Sequence, residues 1–121
     1  MSVLSEIEDV KQCPKQFVLA INDTLNVMNG KWKMPILASL LYGKNRFKDI
    51  QANIEKITPR MLSKELKDLE MNGVVKRNVY DTTPIRIEYE LTTSGKNIVK
   101  VLDAMVEWGI EHRKTVVEKL N

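Results

Sequence analysis

The chain has 121 residues, of which 43% are hydrophobic and 29% charged, with a formal net charge of +3. This length fits one domain with its own core, and the composition excludes a disordered polymer. A single cysteine and a single histidine exclude an intrachain disulfide and a Cys-rich zinc site and argue against a His-based one, so neither metal nor cofactor is expected.

Residues 1–12 are polar with scattered apolar positions (Val3, Leu4, Ile7, Val10) and fit either a short helix or a loose N-terminal arm. They lack the basic-then-apolar order of an export signal, and no apolar run approaches about 18 residues, so a cytoplasmic protein outside the membrane is expected. Cys13-Pro14 breaks the pattern. From Lys15 to Met28, the residues Phe17, Val18, Ile21, Leu25 and Met28 recur at helical spacing and predict a first helix. After a turn at Asn29-Gly30, Lys31 to Tyr42 predicts a second amphipathic helix through Trp32, Ile36, Leu37, Leu40 and Leu41. Pro35 lies near its first turn, where a missing N–H does least harm. Gly43-Lys44-Asn45 makes a turn, and Arg46 to Ile54 predicts a short third helix with Phe47, Ile50 and Ile54 on one side.

The stretch Ile57 to Val75 carries written limits. Thr58 is an N-cap residue, Pro59 stands at the first helical position, and Asn72-Gly73 supplies a stop. At 100° per residue, Leu62, Leu66 and Leu69 share one stripe, while Arg60, Ser63, Lys64 and Lys67 fall on the opposite side. A cationic face of this kind is often only solvated, but position argues for more. Residues 31–80 hold eleven Lys and Arg against five Asp and Glu, whereas the regions before and after are mildly acidic. A polyanion footprint carried by the middle of the chain is the expectation. The third helix and the helix over 58–72 are joined by three or four residues and form a helix-turn-helix over 46–72, whose second helix is presented to a DNA major groove.

Beyond Gly73 the periodicity changes. Ile85, Ile87, Tyr89 and Leu91 alternate with Arg86, Glu88 and Glu90, and Val74 to Tyr80 is rich in β-formers, so the two stretches pair as a hairpin turning at Asp81-Thr82-Thr83-Pro84. A helix-turn-helix followed by a hairpin over 74–91 predicts an α+β, mostly helical, winged helix-turn-helix; the alternative is a small α+β domain with an incidental hairpin. Thr92-Thr93-Ser94 offers N-caps for a long last helix over 95–120, with Ile98, Val101, Leu102, Met105, Trp108, Val116 and Leu120 on its apolar stripe. One small domain does not readily bury that stripe together with Phe17, Val18, Ile21 and Leu25. The helices at 15–28 and 95–120 are therefore expected to form a homodimer, for which Val101, Leu102, Met105 and Trp108 are the matching surface; mutual cover within one chain is the alternative. His112 reads as an unremarkable tail residue.

At this point the residues become recognisable. Cys13-Pro14, Gly30-Lys31-Trp32-Lys33 running into Pro35-Ile36-Leu37, Arg46-Phe47, Ile57 to Ser63, and Leu66 through Leu69-Glu70 resemble the HxlR-type family of bacterial transcriptional regulators. Val79-Tyr80, Pro84, Glu88 to Thr92 and Ser94-Gly95 continue the likeness, which spans roughly residues 13–110. The resemblance implies a MarR-like winged helix: a homodimer, usually autoregulatory, acting beside the genes it controls. Fifteen residues separate Cys13-Pro14 from Gly30, a longer spacing than the common family form.

The reading is a dimeric, sequence-specific regulator of double-stranded DNA that binds a palindromic operator, not an enzyme. Arg60, Ser63, Lys64 and Lys67 form the base- and phosphate-contacting set, Thr58 caps their helix or offers its exposed N–H groups to a phosphate, and Lys76, Arg77 and Arg86 charge the wing. Lys31 and Lys33 are candidate phosphate contacts, and Trp32 is expected in the core. The resemblance adds Cys13 as a redox- or electrophile-sensing candidate beside Lys11 and Lys15, which favour a thiolate; the bland reading is a half-buried, inert thiol. The rivals are a winged-helix protein-interaction module and a sensor that binds a small molecule between wing and dimer helices.

Overall fold

The computed structural model describes residues 15–120, so the N-terminal arm at 1–12 and Cys13 lie outside the described residues. Its elements run α1 (Lys15–Met28), α2 (Lys33–Leu41), α3 (Phe47–Asn53), α4 (Pro59–Met71), β1 (Val75–Tyr80), β2 (Arg86–Leu91), α5 (Thr93–Asn97) and α6 (Val99–Leu120). The two strands form one antiparallel hairpin, in register from Val75 opposite Leu91 to Tyr80 opposite Arg86. This is the mostly helical, winged helix-turn-helix architecture expected from the pattern.

The core is built from the apolar stripes of α2, α3 and α4. Ile36 and Leu37 from α2, Ile50 from α3, and Leu62, Leu66 and Leu69 from α4 are fully or almost fully buried. Val74, Val75 and Leu91 close it from the base of the hairpin, and Ile54, Ile57 and Ile98 seal its edges. Ser39 is buried within this apolar setting. Its hydroxyl donates to Pro35 O at 3.0 Å and accepts from Asn53 Nδ2 at 2.8 Å, which ties α2 to the end of α3 without leaving a polar group unpaired. Trp32 packs partly against the core, as an aromatic at helical spacing should.

Two helix limits differ slightly from expectation. The second helix starts at Lys33, not Lys31, because residues 30–32 are used in the turn, and α3 starts at Phe47 with Arg46 extended as its N-cap. The larger difference is at the C-terminal end. In place of one helix from Gly95 there is a short α5 and then α6, separated at Ile98, whose N–H bonds to Gly95 O at 3.2 Å in a tightened turn. Within α5 the backbone at Gly95 is pressed against Val74, where any Cβ would collide with the Val74 carbonyl oxygen and come within 3.1 Å of Leu91 Cδ2. Thr92 locks the same junction. Its N–H donates to Val74 O at 3.1 Å, its hydroxyl donates to Gly73 O at 2.7 Å, and the hydroxyl also accepts from Gly95 N at 3.1 Å.

Helices α1 and α6 contribute little to this core. None of the residues of α1 is buried; only Val27 and Met28, at its end, rest on the core. Val18, Leu19, Ile21 and Leu25 on α1, and Val101, Met105, Val106, Trp108 and Ile110 on α6, are exposed. Leu102, one of the expected dimer residues, packs partly against the core of its own chain, and Phe17 is half-buried. Among the described residues no helix is long and apolar enough to cross a membrane.

Candidate nucleic-acid interface

Helix α4 is fixed at both ends by its own sequence. Thr58 Oγ1 accepts from Met61 N at 3.2 Å, and Pro59 occupies the first turn. At the other end Gly73, with φ +78°, donates to Glu70 O at 3.0 Å, and Val74 N donates to Leu69 O at 3.2 Å, a pair of bonds that satisfies the last carbonyls. Asn72 Nδ2 adds a bond to Asp68 O at 2.8 Å. Leu62, Leu66 and Leu69 bury the inner stripe, so Thr58, Arg60, Ser63, Lys64 and Lys67 stand exposed on the outside. Thirteen residues at 1.5 Å each give a rod of about 20 Å, long enough to lie along a major groove.

Among the described residues, Arg60, Lys64 and Lys67 take no part in an ion pair. The charge on that face is therefore available to a polyanion. The turn that leads into α4 holds Lys56 in the left-handed region, with φ +67°, a conformation that costs a side chain about 1–2 kcal/mol. The exposed Lys56 was not foreseen as part of the surface, and periodicity gives no sign of such a turn residue.

The wing cations do not act as one group. Along β1 successive side chains alternate faces, so Arg77 shares a face with Val75 and Val79, and Lys76 stands on the other face, opposite Glu90 on β2. Arg86 is paired with Tyr80 in the register, and its guanidinium lies over the Tyr80 ring at 4.5 Å and 3.5 Å from Glu88 Oε1. It is held along the hairpin. Tyr89 N donates to Asn45 O at 2.7 Å and fastens the wing to the loop before α3.

Lys31 is exposed, with its ammonium 4.9 Å from the centre of the Trp32 ring. Lys33 overturns the expectation of a phosphate contact. Only 9% exposed, it places Nζ 2.8 Å from Glu65 Oε2 and 3.8 Å from Asp68 Oδ2, both on α4. The signal was available: Lys33 stands three and four residues before Ile36 and Leu37, on the apolar stripe itself. Trp108, expected on the dimer surface, is not core in its own chain. It is 67% exposed and stacks on His112 at 4.6 Å between centroids, which gives that histidine a partner it was not expected to have.

A cleft of about 450 Å³ opens where α1, the end of α4 and α5 meet, lined among others by Asp23, Asn26, Asn72, Ser94 and Asn97. Val27, Val74, Ile98 and Val101 also line it, so the lining is mixed in polarity.

Comparison with known proteins agrees with this geometry. Residues 27–116 match the model of the HxlR-like helix-turn-helix family. An HTH-type transcriptional regulator of Methanothermobacter thermautotrophicus is 43% identical over 94 residues, spanning 78% of this chain and 72% of the relative. Among solved structures, a transcriptional regulator of the MarR family from Enterococcus faecalis V583 superposes with a TM-score of 0.75 at 29% identity, covering 92% of this chain and 99% of the other. The redox regulator HypR in its reduced form gives a TM-score of 0.73 at 36% identity, covering 80% and 96%.

Proposed function

Because the chain belongs to the HxlR-like helix-turn-helix family, a family of DNA-binding transcriptional regulators, we propose that it works as a homodimer on a specific, two-fold symmetric DNA sequence. The observation that carries this reading is the outer face of α4, where Arg60, Lys64 and Lys67 stand exposed and outside any ion pair among the described residues. Arginine reads guanine through two parallel hydrogen bonds, and lysine neutralises phosphate or meets a base edge as a point charge. In this reading Arg60 and Ser63, near the start of α4, meet bases, Lys64 and Lys67 hold register on the backbone, and Thr58 presents the helix N-terminus to a phosphate. Arg77 and Lys76 extend the contact through the wing, from opposite faces, and Lys31 meets phosphate at its margin.

Dimerisation follows from the apolar surface that one chain leaves in water. Ile21 and Leu25 on α1 and Val101, Met105 and Trp108 on α6 are each exposed. Apolar helix faces left in water mark an interface, and in this reading a two-fold partner covers those of α1 and α6. A redox-sensing role for Cys13, of the kind HypR's name suggests for that protein, concerns a residue outside the described part of the structure.

Sedimentation of the purified protein and nuclease footprinting on the DNA upstream of its own gene test this reading together. The expected result is a dimer mass and two protected half-sites centred about one helical turn apart, roughly 10 base pairs. A monomer that protects one short site, or a dimer that protects none, would contradict it.

A further inference from the structure

Helix α4 carries acids as well as bases, and the acids are arranged to be silenced. At 100° per residue Glu65 stands beside the Leu62–Leu69 stripe, and Asp68 lies between it and Lys64, so the two carboxylates occupy one shoulder of the helix between core and cationic face. Lys33 reaches both from α2, at 2.8 Å and 3.8 Å. The Lys33 and Glu65 side chains retain only 11% and 16% exposure, and Asp68 keeps 42%.

We propose that Lys33 is a positioning residue for DNA binding: from inside the protein it neutralises the acidic shoulder of α4 and holds the roll of that helix, without touching DNA. An ammonium committed to a nearly buried carboxylate is not free to reach a phosphate oxygen as well. Without that cation, Glu65 is a buried unpaired charge that must turn outward, toward the side on which phosphates arrive, and α4 must roll with it. The inference rests on the DNA-binding reading above and adds a role that the expected phosphate contact would have hidden.

Two kinds of lysine are separable by salt. A lysine on a phosphate adds about 0.9 to the slope of log affinity against log salt, whereas a positioning lysine changes affinity and leaves the slope alone. The experiment is a salt series of binding to the DNA upstream of its own gene for the wild type, Lys33→Met, and Lys33→Met combined with Glu65→Gln. Lys33→Met is expected to bind about tenfold more weakly with an unchanged slope. The double variant, with the buried charge removed, is expected to regain wild-type affinity to within about threefold at the wild-type slope. If Lys33→Met does not fold, the double variant has no unpaired buried charge and reads the same question through its slope. A slope flatter by about 0.9 in either variant makes Lys33 a direct phosphate contact and overturns the proposal; so does a double variant that binds as weakly as the single. A wild type that shows no salt-dependent binding removes the DNA reading itself, an outcome distinct from any behaviour of the variants.

Discussion

Gly95→Ala is expected to lower the thermal midpoint by about 10 °C, through a loss of roughly 3 kcal/mol. The magnitude comes from what the new methyl meets. It meets the carbonyl oxygen of Val74, which is backbone, and the Leu91 side chain at 3.1 Å. A flexible side chain gives way at small cost, but a backbone carbonyl bonded to Thr92 N at 3.1 Å does not. Relief must come from moving α5 away from the hairpin base. That movement breaks the bond from the Thr92 hydroxyl to Gly73 O and loosens the turn that ends α4. The variant should therefore lose DNA affinity as well as stability, because the junction joins the recognition helix, the wing and the helix that leads to the proposed dimer surface. Circular dichroism melting checks the first effect. A midpoint within about 2 °C of wild type would show that the junction is looser than described.

Arg60→Ala combined with Lys64→Ala is expected to weaken binding to the DNA upstream of its own gene by about a hundredfold or more, with little change in melting or in the mass of the proposed dimer. Each good base or phosphate contact at a recognition helix contributes about 1–3 kcal/mol, so two together reach that range. Both side chains are exposed and outside any ion pair among the described residues, and surface substitutions of that kind usually change stability by no more than about 0.5 kcal/mol. Titration by fluorescence anisotropy alongside circular dichroism separates the two effects. A variant that unfolds, or one that binds as the wild type does, removes these residues from the proposed contact set.

The parts legible in the sequence are those governed by local chemistry. The limits of α4 were readable because Thr58-Pro59 and Asn72-Gly73 act within one turn of the helix ends, and the structure uses them in that way. The hairpin was readable because Ile87, Tyr89 and Leu91 alternate with charged residues, and alternation reports directly on a pleated strand. What escaped depends on partners distant in the chain. The place of Lys33 on the apolar stripe of α2 signals that it faces inward, but that signal does not show that Glu65 and Asp68, on another helix, will meet it there. Gly95 lies on Val74, an approach between elements that no helical pattern encodes. Leu102 and Trp108 lie about 120° apart round α6; Trp108 shares the side of Val101, and both are exposed, whereas Leu102 packs partly against the core of its own chain.

The central claim is that the exposed cations of α4 read a particular DNA sequence. Its most direct test is fluorescence anisotropy of the wild-type protein with the DNA upstream of its own gene and with a scrambled fragment of equal length, across a salt series. The predicted result is affinity for the native fragment at least about a thousandfold higher, falling steeply as salt rises. Equal, weak binding to both fragments would contradict it: α4 would then be a basic helix without a sequence to read, and the winged helix would be better understood as a surface for a partner protein.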